Sequence, residues 1–234
     1  MNSQSPIGVF DSGIGGLTVA HAISQSLPNE EIIYFGDTQH LPYGNKSPNK
    51  IIFYSERITD FLVEKGCKAI IIACNSASSV AFKHLKKKTD KQCLLFNVIQ
   101  PVIDAIVDDK SIENVGVIGT NATISTNIYE RGIVKKRADI TVSSLATPLL
   151  ASLIEEDNDA LYKKGIIESY LQNTQLDNID TLILGCTHYP LIKSHILNYY
   201  KKKINVISVL KYIGEIVRNQ LEQRDLLNLD VIIP

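Results

Sequence analysis

The chain has 234 residues, of which 44% are hydrophobic and 21% charged, and its formal net charge is −1. This composition predicts a globular protein with a sizeable core and disfavours a function that depends on bulk attraction to nucleic acid or an anionic membrane. No apolar run reaches the roughly 18 residues that a membrane-spanning helix needs, and no signal peptide is recognisable. The four cysteines form neither a C-x-x-C pair nor a disulfide framework. We therefore expect a cytoplasmic protein with reduced thiols.

The first predicted elements are a strand at residues 7–10 and a helix at 17–26, joined by a glycine-rich turn. Backbone N–H groups in such a turn, at the start of a helix, bind a phosphate or a carboxylate. The acidic Asp11 lies inside this turn and would repel a pyrophosphate. The turn therefore predicts a small carboxylate ligand, with Asp11 acting on a nearby proton, although Asp11 and Ser12 also suit a helix cap.

The most informative strand ends at Cys74. Before it we expect a strand, a turn-rich loop and a periodic helix, at residues 31–37, 41–48 and 49–66. Residues 69–73 are apolar, which is typical of a buried parallel strand, and small polar residues follow the cysteine. Open α/β sheets bind ligands at this edge, and a helix predicted at residues 78–88 would favour a thiolate at Cys74. An inert buried cysteine is the alternative interpretation.

The second half of the chain repeats the plan of the first. After a strand at 93–98 we expect strands at 113–119, 140–145, 181–184 and 204–209 and helices at 124–135, 148–157, 160–172 and 213–223. The strand at 181–184 leads to Cys186 as the earlier one leads to Cys74. The spacing from Gly8 to Cys74 is close to that from Gly116 to Cys186. This internal duplication predicts an α/β fold of two pseudo-symmetric parallel-sheet domains, with the active site in the cleft between them.

Two thiols on opposite sides of a carboxylate-binding cleft suit inversion at the carbon next to a carboxylate. One thiolate would take the α-proton, and the other thiol would supply a proton to the opposite face. Both groups would have to titrate near neutral pH. The candidate partner of Cys74 is Asp11, and that of Cys186 is His188, with Glu155 as a further group on this side. Helix-start amides near Ser12, Asn75 and Thr187 would bind the carboxylate.

Five segments resemble the signature segments of the glutamate racemases, in the order of that family and over residues 7–192. They are DSGIGGLT at 11–18, PYG at 42–44, ACNSA at 73–77, GVIGTNAT at 116–123 and GCTHYP at 185–190. The Thr-His-Tyr-Pro run after Cys186 distinguishes the chain from the related aspartate racemases. The resemblance implies a cofactor-independent enzyme that interconverts L- and D-glutamate, the D-form serving peptidoglycan synthesis, and often a homodimer.

The resemblance also implies roles for individual residues. By motif position Cys74 and Cys186 would be the two acid/base groups, assisted by Asp11, Glu155 and His188. The implied substrate-binding set is Asp11, Ser12, Pro42, Tyr43, Gly44, Asn75, Ser76, Thr120, Thr123, Thr187 and His188. We expect no metal and no cofactor. The implied domains are residues 1–97 together with 207–234, and residues 98–206.

The chain departs from the family pattern at three places. Ser76 stands where threonine is usual, Asp157 stands where glycine is usual, and the run at 209–211 replaces an Ile-Asp-Ser-like segment. The last change bears on C-terminal packing and on the mode of dimerisation. Members that a cell-wall precursor activates have a long N-terminal extension, whereas Asp11 lies close to Met1 here, so we expect no such activation.

Three other hypotheses stay open at this point. The first is an aspartate or broad-specificity racemase of the same superfamily, and the second is a binding or regulatory protein on a decayed racemase scaffold. The third is a metal site formed by Cys74, Cys186, His188 and Asp11, although no short-range pair of ligands supports it.

Overall fold

The computed structural model describes residues 2–156 and 159–230, and these form two four-stranded parallel sheets flanked by helices. The predicted fold class is confirmed. Asp157, and residues 231–234 of the predicted first domain, lie outside the described residues.

The first half of the molecule contains a sheet in the order β2-β1-β3-β4, with every neighbouring pair parallel. Its strands are β1 (Ile7–Asp11), β2 (Ile32–Gly36), β3 (Ala69–Ile72) and β4 (Leu94–Asn97). Its helices are α1 (Leu17–Ser26), α2 (Pro48–Glu64) and α3 (Asn75–Thr89). A short 3₁₀ turn, Tyr43–Asn45, lies in the predicted turn-rich loop.

The second half contains a sheet of the same plan, in the order β6-β5-β7-β8. Its strands are β5 (Asn114–Gly119), β6 (Thr141–Ala146), β7 (Thr181–Gly185) and β8 (Asn205–Ile207). The helices after β4 are α4 (Gln100–Asp108), α5 (Asn121–Ile124), α6 (Ile128–Val134), α7 (Leu150–Glu155), α8 (Ala160–Leu171), α9 (Lys193–Tyr199) and α10 (Ile213–Glu222).

The strand register confirms the duplication. Gly8 lies opposite Ile70 in the first sheet, and Gly116 lies opposite Leu182 in the second. Ile70 and Leu182 each precede a cysteine by four positions. The two cysteines therefore follow equivalent strands, β3 and β7, at their carboxyl ends.

Several helix predictions need correction. Helix α3 begins at Asn75 rather than at residue 78, because the Cys74 side chain caps it. The single helix predicted at 124–135 is two helices, α5 and α6, since Asn127 between them has a left-handed φ of 51°. Helices α4 and α9 were not predicted. The first carries Pro101 in its opening turn, where a missing N–H costs little.

The chain returns to the first half after β8. Helix α10 packs on α1, where Gly214 leaves no room for a side chain because a Cβ there would lie 2.1 Å from Ser26 Oγ. Val217 and Leu221 of α10 belong to the same buried cluster as apolar side chains of α1 and β1. The run that replaces the usual segment, Val209–Lys211, forms a 3₁₀ turn before α10. Ile207 still belongs to the second sheet, and the predicted domain bounds stay a prediction.

None of the helices in the described part of the chain has the length and apolar character that crossing a bilayer requires.

Candidate active site

A cavity lies between the two halves, where the carboxyl ends of both sheets meet. Most of the predicted site residues line it: Ser12, Pro42, Tyr43, Gly44, Cys74, Asn75, Ser76, Thr120, Glu155, Cys186, Thr187 and His188. Asp11 and Thr123 are not in its wall and lie directly behind it, 0% and 1% exposed. Four further residues line the cavity: Gly13, Leu41, Ala151 and Ser152.

The Cys74 thiol stands at the N-terminus of α3 and is 5% exposed. Its Sγ accepts the Ala77 N–H at 3.5 Å and donates to Ser12 Oγ at 3.6 Å. Burial, together with the nearby Asp11 carboxylate, raises the pKa of Cys74 to about 11. The helix start therefore does not make Cys74 a thiolate at neutral pH in the free protein, which corrects the prediction. Loss of hydration outweighs the favourable helix dipole.

The Asp11 carboxylate ends β1 and is fully buried. Its Oδ2 accepts the Gly13 N–H at 2.9 Å, and its Oδ1 accepts the Thr187 hydroxyl at 3.5 Å. Burial raises the pKa of Asp11, and the nearby His188 acts in the opposite direction. Asp11 thus joins the loop that precedes α1 to the loop that carries Cys186.

The Cys186 thiol is 7% exposed and has a titratable partner on its own loop. His188 Nδ1 lies 3.5 Å from Cys186 Sγ, and His188 Nε2 lies 2.5 Å from Glu155 Oε1. Glu155 comes from the last turn of α7. Burial raises the pKa of the Cys186 thiol above its ordinary range. Cys186, His188 and Glu155 form a chain of contacts from the cavity to α7.

A row of hydroxyl groups crosses between the halves. Ser76 Oγ and Thr120 Oγ1 lie 2.8 Å apart, and Thr120 Oγ1 lies 3.2 Å from Thr123 Oγ1. Thr120 also caps α5 by accepting the Thr123 N–H. Thr123 therefore supports Thr120 from behind instead of lining the cavity. Because Ser76 keeps the hydroxyl of the usual threonine, this departure leaves the contact in place.

The halves approach closely at two glycines. A Cβ on Gly44 would lie 2.7 Å from Thr120 Cβ. A Cβ on Gly15 would lie 2.4 Å from His188 Cε1 and 2.6 Å from Thr187 Oγ1. All three distances are shorter than side-chain atoms tolerate, so only glycine at these two positions allows this closure of the cavity.

Known proteins resemble this chain in sequence over most of its length. The sequence model of the Asp/Glu/Hydantoin racemase family matches residues 7–212. The chain belongs to this family. It is 42% identical to a glutamate racemase from Neisseria meningitidis serogroup C, over 97% of this chain and 84% of the relative. The predicted resemblance and enzyme class, a glutamate racemase and hence an isomerase acting on amino acids, are confirmed.

Solved structures give the same result. Glutamate racemase isoform RacE1 from Bacillus anthracis superposes with a TM-score of 0.92 at 33% identity, covering 98% of this chain and 86% of that one. Glutamate racemase from Francisella tularensis in complex with D-glutamate superposes with a TM-score of 0.89 at 38% identity, covering 98% and 85%. Both proteins share the arrangement of two sheets around a cleft.

The cavity of this racemase has a distinctive charge pattern. The described residues that line it include no lysine and no arginine. A carboxylate bound there would have to rely on hydroxyl groups, the Asn75 side-chain amide, backbone N–H groups and the His188 imidazole. In the described ranges, 2–156 and 159–230, no group of three or more His, Cys, Asp or Glu side chains could hold a metal ion. The metal-site hypothesis therefore gains no support.

The cavity residues that sequence reasoning missed had a detectable signal. Ala151 and Ser152 precede Glu155 by one helical turn on α7, so they share its face. Gly13 and Leu41 adjoin Ser12 and Pro42 in the chain. Gly13 lies inside the DSGIGGLT segment itself, Leu41 is one residue before the PYG segment, and Ala151 and Ser152 are one helical turn from Glu155, so all four could have been found.

Proposed function

We propose that this racemase interconverts L- and D-glutamate by two-base proton transfer, with Cys74 and Cys186 as the acid and base. The observation that carries the proposal is that two thiols, delivered by equivalent strands of two sheets, open into one cavity. A stereocentre held between them would present opposite faces to the two sulfur atoms.

The proposed reaction conserves protons. One thiolate forms an S–H bond with the α-proton while the Cα–H bond breaks, and the electron pair stays on Cα and its carboxylate. The other thiol then breaks its S–H bond and delivers the proton to the opposite face of Cα. The two cysteines have exchanged protonation states, so the enzyme is ready for the reverse direction.

The groups beside each thiol are candidates for accepting its proton. In the free protein the pKa of each catalytic thiol is raised by burial, so both are protonated near neutral pH. We infer that Asp11 assists Cys74, because its buried carboxylate lies near enough to act on the charge of this thiol. Burial raises the pKa of the Asp11 carboxyl. His188, within 3.5 Å of Cys186 and held by Glu155, would assist on the other side.

The hydroxyl groups and amides of the wall would bind the substrate carboxylates. The proposed set comprises Ser12, Asn75, Ser76, Thr120 and Thr187, with the backbone of 42–44 closing one side. The D-glutamate bound to the Francisella tularensis relative supports glutamate as the substrate. As charge develops on the α-carboxylate in the transition state, donors that are already in place stabilise it.

We further propose that the product serves peptidoglycan synthesis and that the enzyme acts in the cytoplasm, where its free cysteines stay reduced. A homodimer is also proposed, and light scattering of the purified protein tests it directly.

Substrate choice tests the proposal. L-Glutamate and L-aspartate are incubated separately with enzyme in deuterated water, and D-isomer formation and α-deuterium content are measured. We expect D-glutamate with deuterium at Cα, unchanged by a chelator. Faster exchange with aspartate would indicate an aspartate racemase, and no exchange with either would indicate a binding protein.

A further inference from the structure

Tyr129 is a buried phenol that links the two halves of the molecule without lining the cavity. It lies on α6 in the second half and is 2% exposed. Its hydroxyl oxygen accepts a hydrogen bond of 2.8 Å from the side-chain amide of Asn75 in the first half. Asn75 follows Cys74 directly and lines the cavity.

The same aromatic ring also lies near the residue that precedes the second cysteine. A Cβ on Gly185, the residue before Cys186, would be 3.5 Å from Tyr129 Cε2. One side chain therefore hydrogen-bonds the residue after Cys74 and lies near the residue before Cys186. Burial raises the pKa of the Tyr129 phenol well above its ordinary value, so the ring stays neutral at physiological pH.

The bond to Tyr129 restricts the Asn75 amide. An asparagine side chain offers two N–H donors and one carbonyl acceptor in a single plane. Because Tyr129 holds one N–H, rotation of the amide would cost this hydrogen bond, which restricts the orientation of the remaining N–H and of the carbonyl oxygen. Asn75 is 5% exposed, so water cannot replace this partner freely.

We infer that Tyr129 is a positioning residue of this racemase, which orients the Asn75 amide toward the substrate. The inference rests on the proposed function, since it assumes a substrate carboxylate between the two thiol loops. The amide contact strengthens as the carboxylate gains charge in the transition state, so its orientation acts on the chemical step.

The variant Tyr129→Phe removes the acceptor and keeps the ring. We expect kcat/KM for both glutamate enantiomers to fall about tenfold, the size of one buried hydrogen bond, with the loss mainly in kcat. Thr59→Val is the matched control, because it also removes a buried hydroxyl, one that donates to Ser55 O within α2 and does not line the cavity. This control should lose thermal stability with unchanged kcat and KM.

A double-mutant cycle separates positioning from a general structural role. In an Asn75→Ala background, Tyr129→Phe should lower kcat/KM less than twofold, because the group through which it acts is gone. An equal loss in both backgrounds would overturn the inference, as would unchanged kinetics in Tyr129→Phe.

The affinity for D-glutamate, measured by titration calorimetry, gives a second readout of the same cycle. If the wild-type protein exchanges no α-proton, the proposed function fails, but coupling between the two substitutions in D-glutamate affinity still supports the positioning role. Additive effects on affinity would contradict it. If Tyr129→Phe lowers stability, the rise in melting temperature on adding D-glutamate can be compared among the variants as a further measure of their affinity.

Discussion

The two thiols leave equivalent strands, but the chain that follows them differs. Cys74 caps α3, a helix of 15 residues, and its Sγ accepts an N–H from the first turn. Cys186 is followed by a short 3₁₀ turn, Tyr189–Ile192, before α9 begins. A full helix dipole therefore acts at Cys74 and has no equivalent at Cys186.

The titratable neighbours are also placed differently in the two halves. Asp11 ends β1, whereas Gly119 ends the equivalent strand β5. His188 lies on the loop after β7, two residues after Cys186. The equivalent position in the first half, two residues after Cys74, is Ser76. The repeated plan of the two sheets thus explains where the two sulfur atoms lie, whereas the titratable residues beside them differ between the halves.

Asp11 and His188 also interact with each other across the cleft. The pKa of Asp11 is raised by burial and lowered by His188, and its carboxylate accepts the hydroxyl of Thr187, the neighbour of His188. Asp11 and His188 therefore belong to one network. Substitution on one side should alter the other thiol as well, which makes the comparison testable.

The largest expected effect comes from removing either thiol. Cys74→Ser and Cys186→Ser should each lower racemisation about 10³- to 10⁴-fold, because a serine hydroxyl is a far weaker acid than a thiol. Each variant should retain α-deuterium uptake from only one enantiomer, and the two variants should differ in which one. Proton NMR in deuterated water measures this uptake. Full racemisation by either variant would defeat the two-base mechanism.

The next largest effect on activity should come from a substitution at Gly15, where the two halves approach closely. Gly15→Ala would place a Cβ 2.4 Å from His188 Cε1, so the Cys186 loop must shift. We expect kcat/KM to fall about 100-fold, as for a displacement of roughly 1 Å at a catalytic group. Steady-state kinetics with both enantiomers measures it.

Gly165→Ala is the matched control for this change. Gly165 is an exposed position within α8, and a Cβ there would meet nothing within 4 Å. This variant should gain about 0.5–1 kcal/mol of stability with unchanged kinetics. Normal activity in Gly15→Ala would show that the cleft does not need this close approach.

The strands and both cysteines were predictable from the sequence, for a physical reason. Buried parallel strands are continuous apolar runs, so the ends of β3 and β7 could be read directly from the residues before Cys74 and Cys186. The order of elements then predicted that each thiol lies at the carboxyl edge of its own sheet. The break between α5 and α6 at Asn127 was not predictable, because it depends on a single left-handed residue.

Local sequence patterns could not predict the protonation of the thiols or the contact between Tyr129 and Asn75. The helix start after Cys74 indicated a thiolate, yet burial raises the pKa of Cys74 to about 11, and the cavity that Cys74 lines has walls from both halves. Tyr129 and Asn75 are far apart in the chain and meet only through tertiary packing. Both features arise from the way the halves close on each other.

A smaller effect should distinguish the assisting groups. Asp11→Asn should lower kcat about 10- to 100-fold, and its thermal stability should be unchanged or higher because a buried carboxylate is removed. Glu155→Gln should lower kcat about tenfold or less, since its side chain is 31% exposed and its contact on this side of the cavity is with His188, not with the thiol. Steady-state kinetics and thermal unfolding measure both variants.

Deuterium uptake from each enantiomer tests which thiol Asp11 and Glu155 act on. The enantiomer whose uptake disappears in Cys74→Ser should be the one whose uptake slows in Asp11→Asn. The enantiomer lost in Cys186→Ser should be the one affected by Glu155→Gln. The reverse pairing would mean that Asp11, which also contacts the Cys186 loop through Thr187, acts mainly on the other side of the cleft.

The smallest expected effect is on alkaline stability. Burial raises the pKa of Cys74 to about 11, and that of Cys67 and Cys93 likewise to about 11, above the value of about 8.5 expected in the unfolded chain. The folded state favours the neutral thiols, so this stability is fully present below the unfolded value and is lost as pH rises through about 11. Each thiol contributes at most about 1.4 kcal/mol per pH unit.

Denaturant unfolding between pH 8 and 11 tests this linkage at Cys74. The Cys74→Ser variant should lose stability less steeply than the wild-type protein over this range, because a serine hydroxyl does not ionise there. Cys93→Ser, at a buried thiol outside the cavity wall, should flatten the slope by a similar amount without affecting racemisation. Parallel slopes for the wild-type protein and Cys74→Ser would mean that the Cys74 pKa is not raised, and the helix dipole would then dominate at this thiol after all.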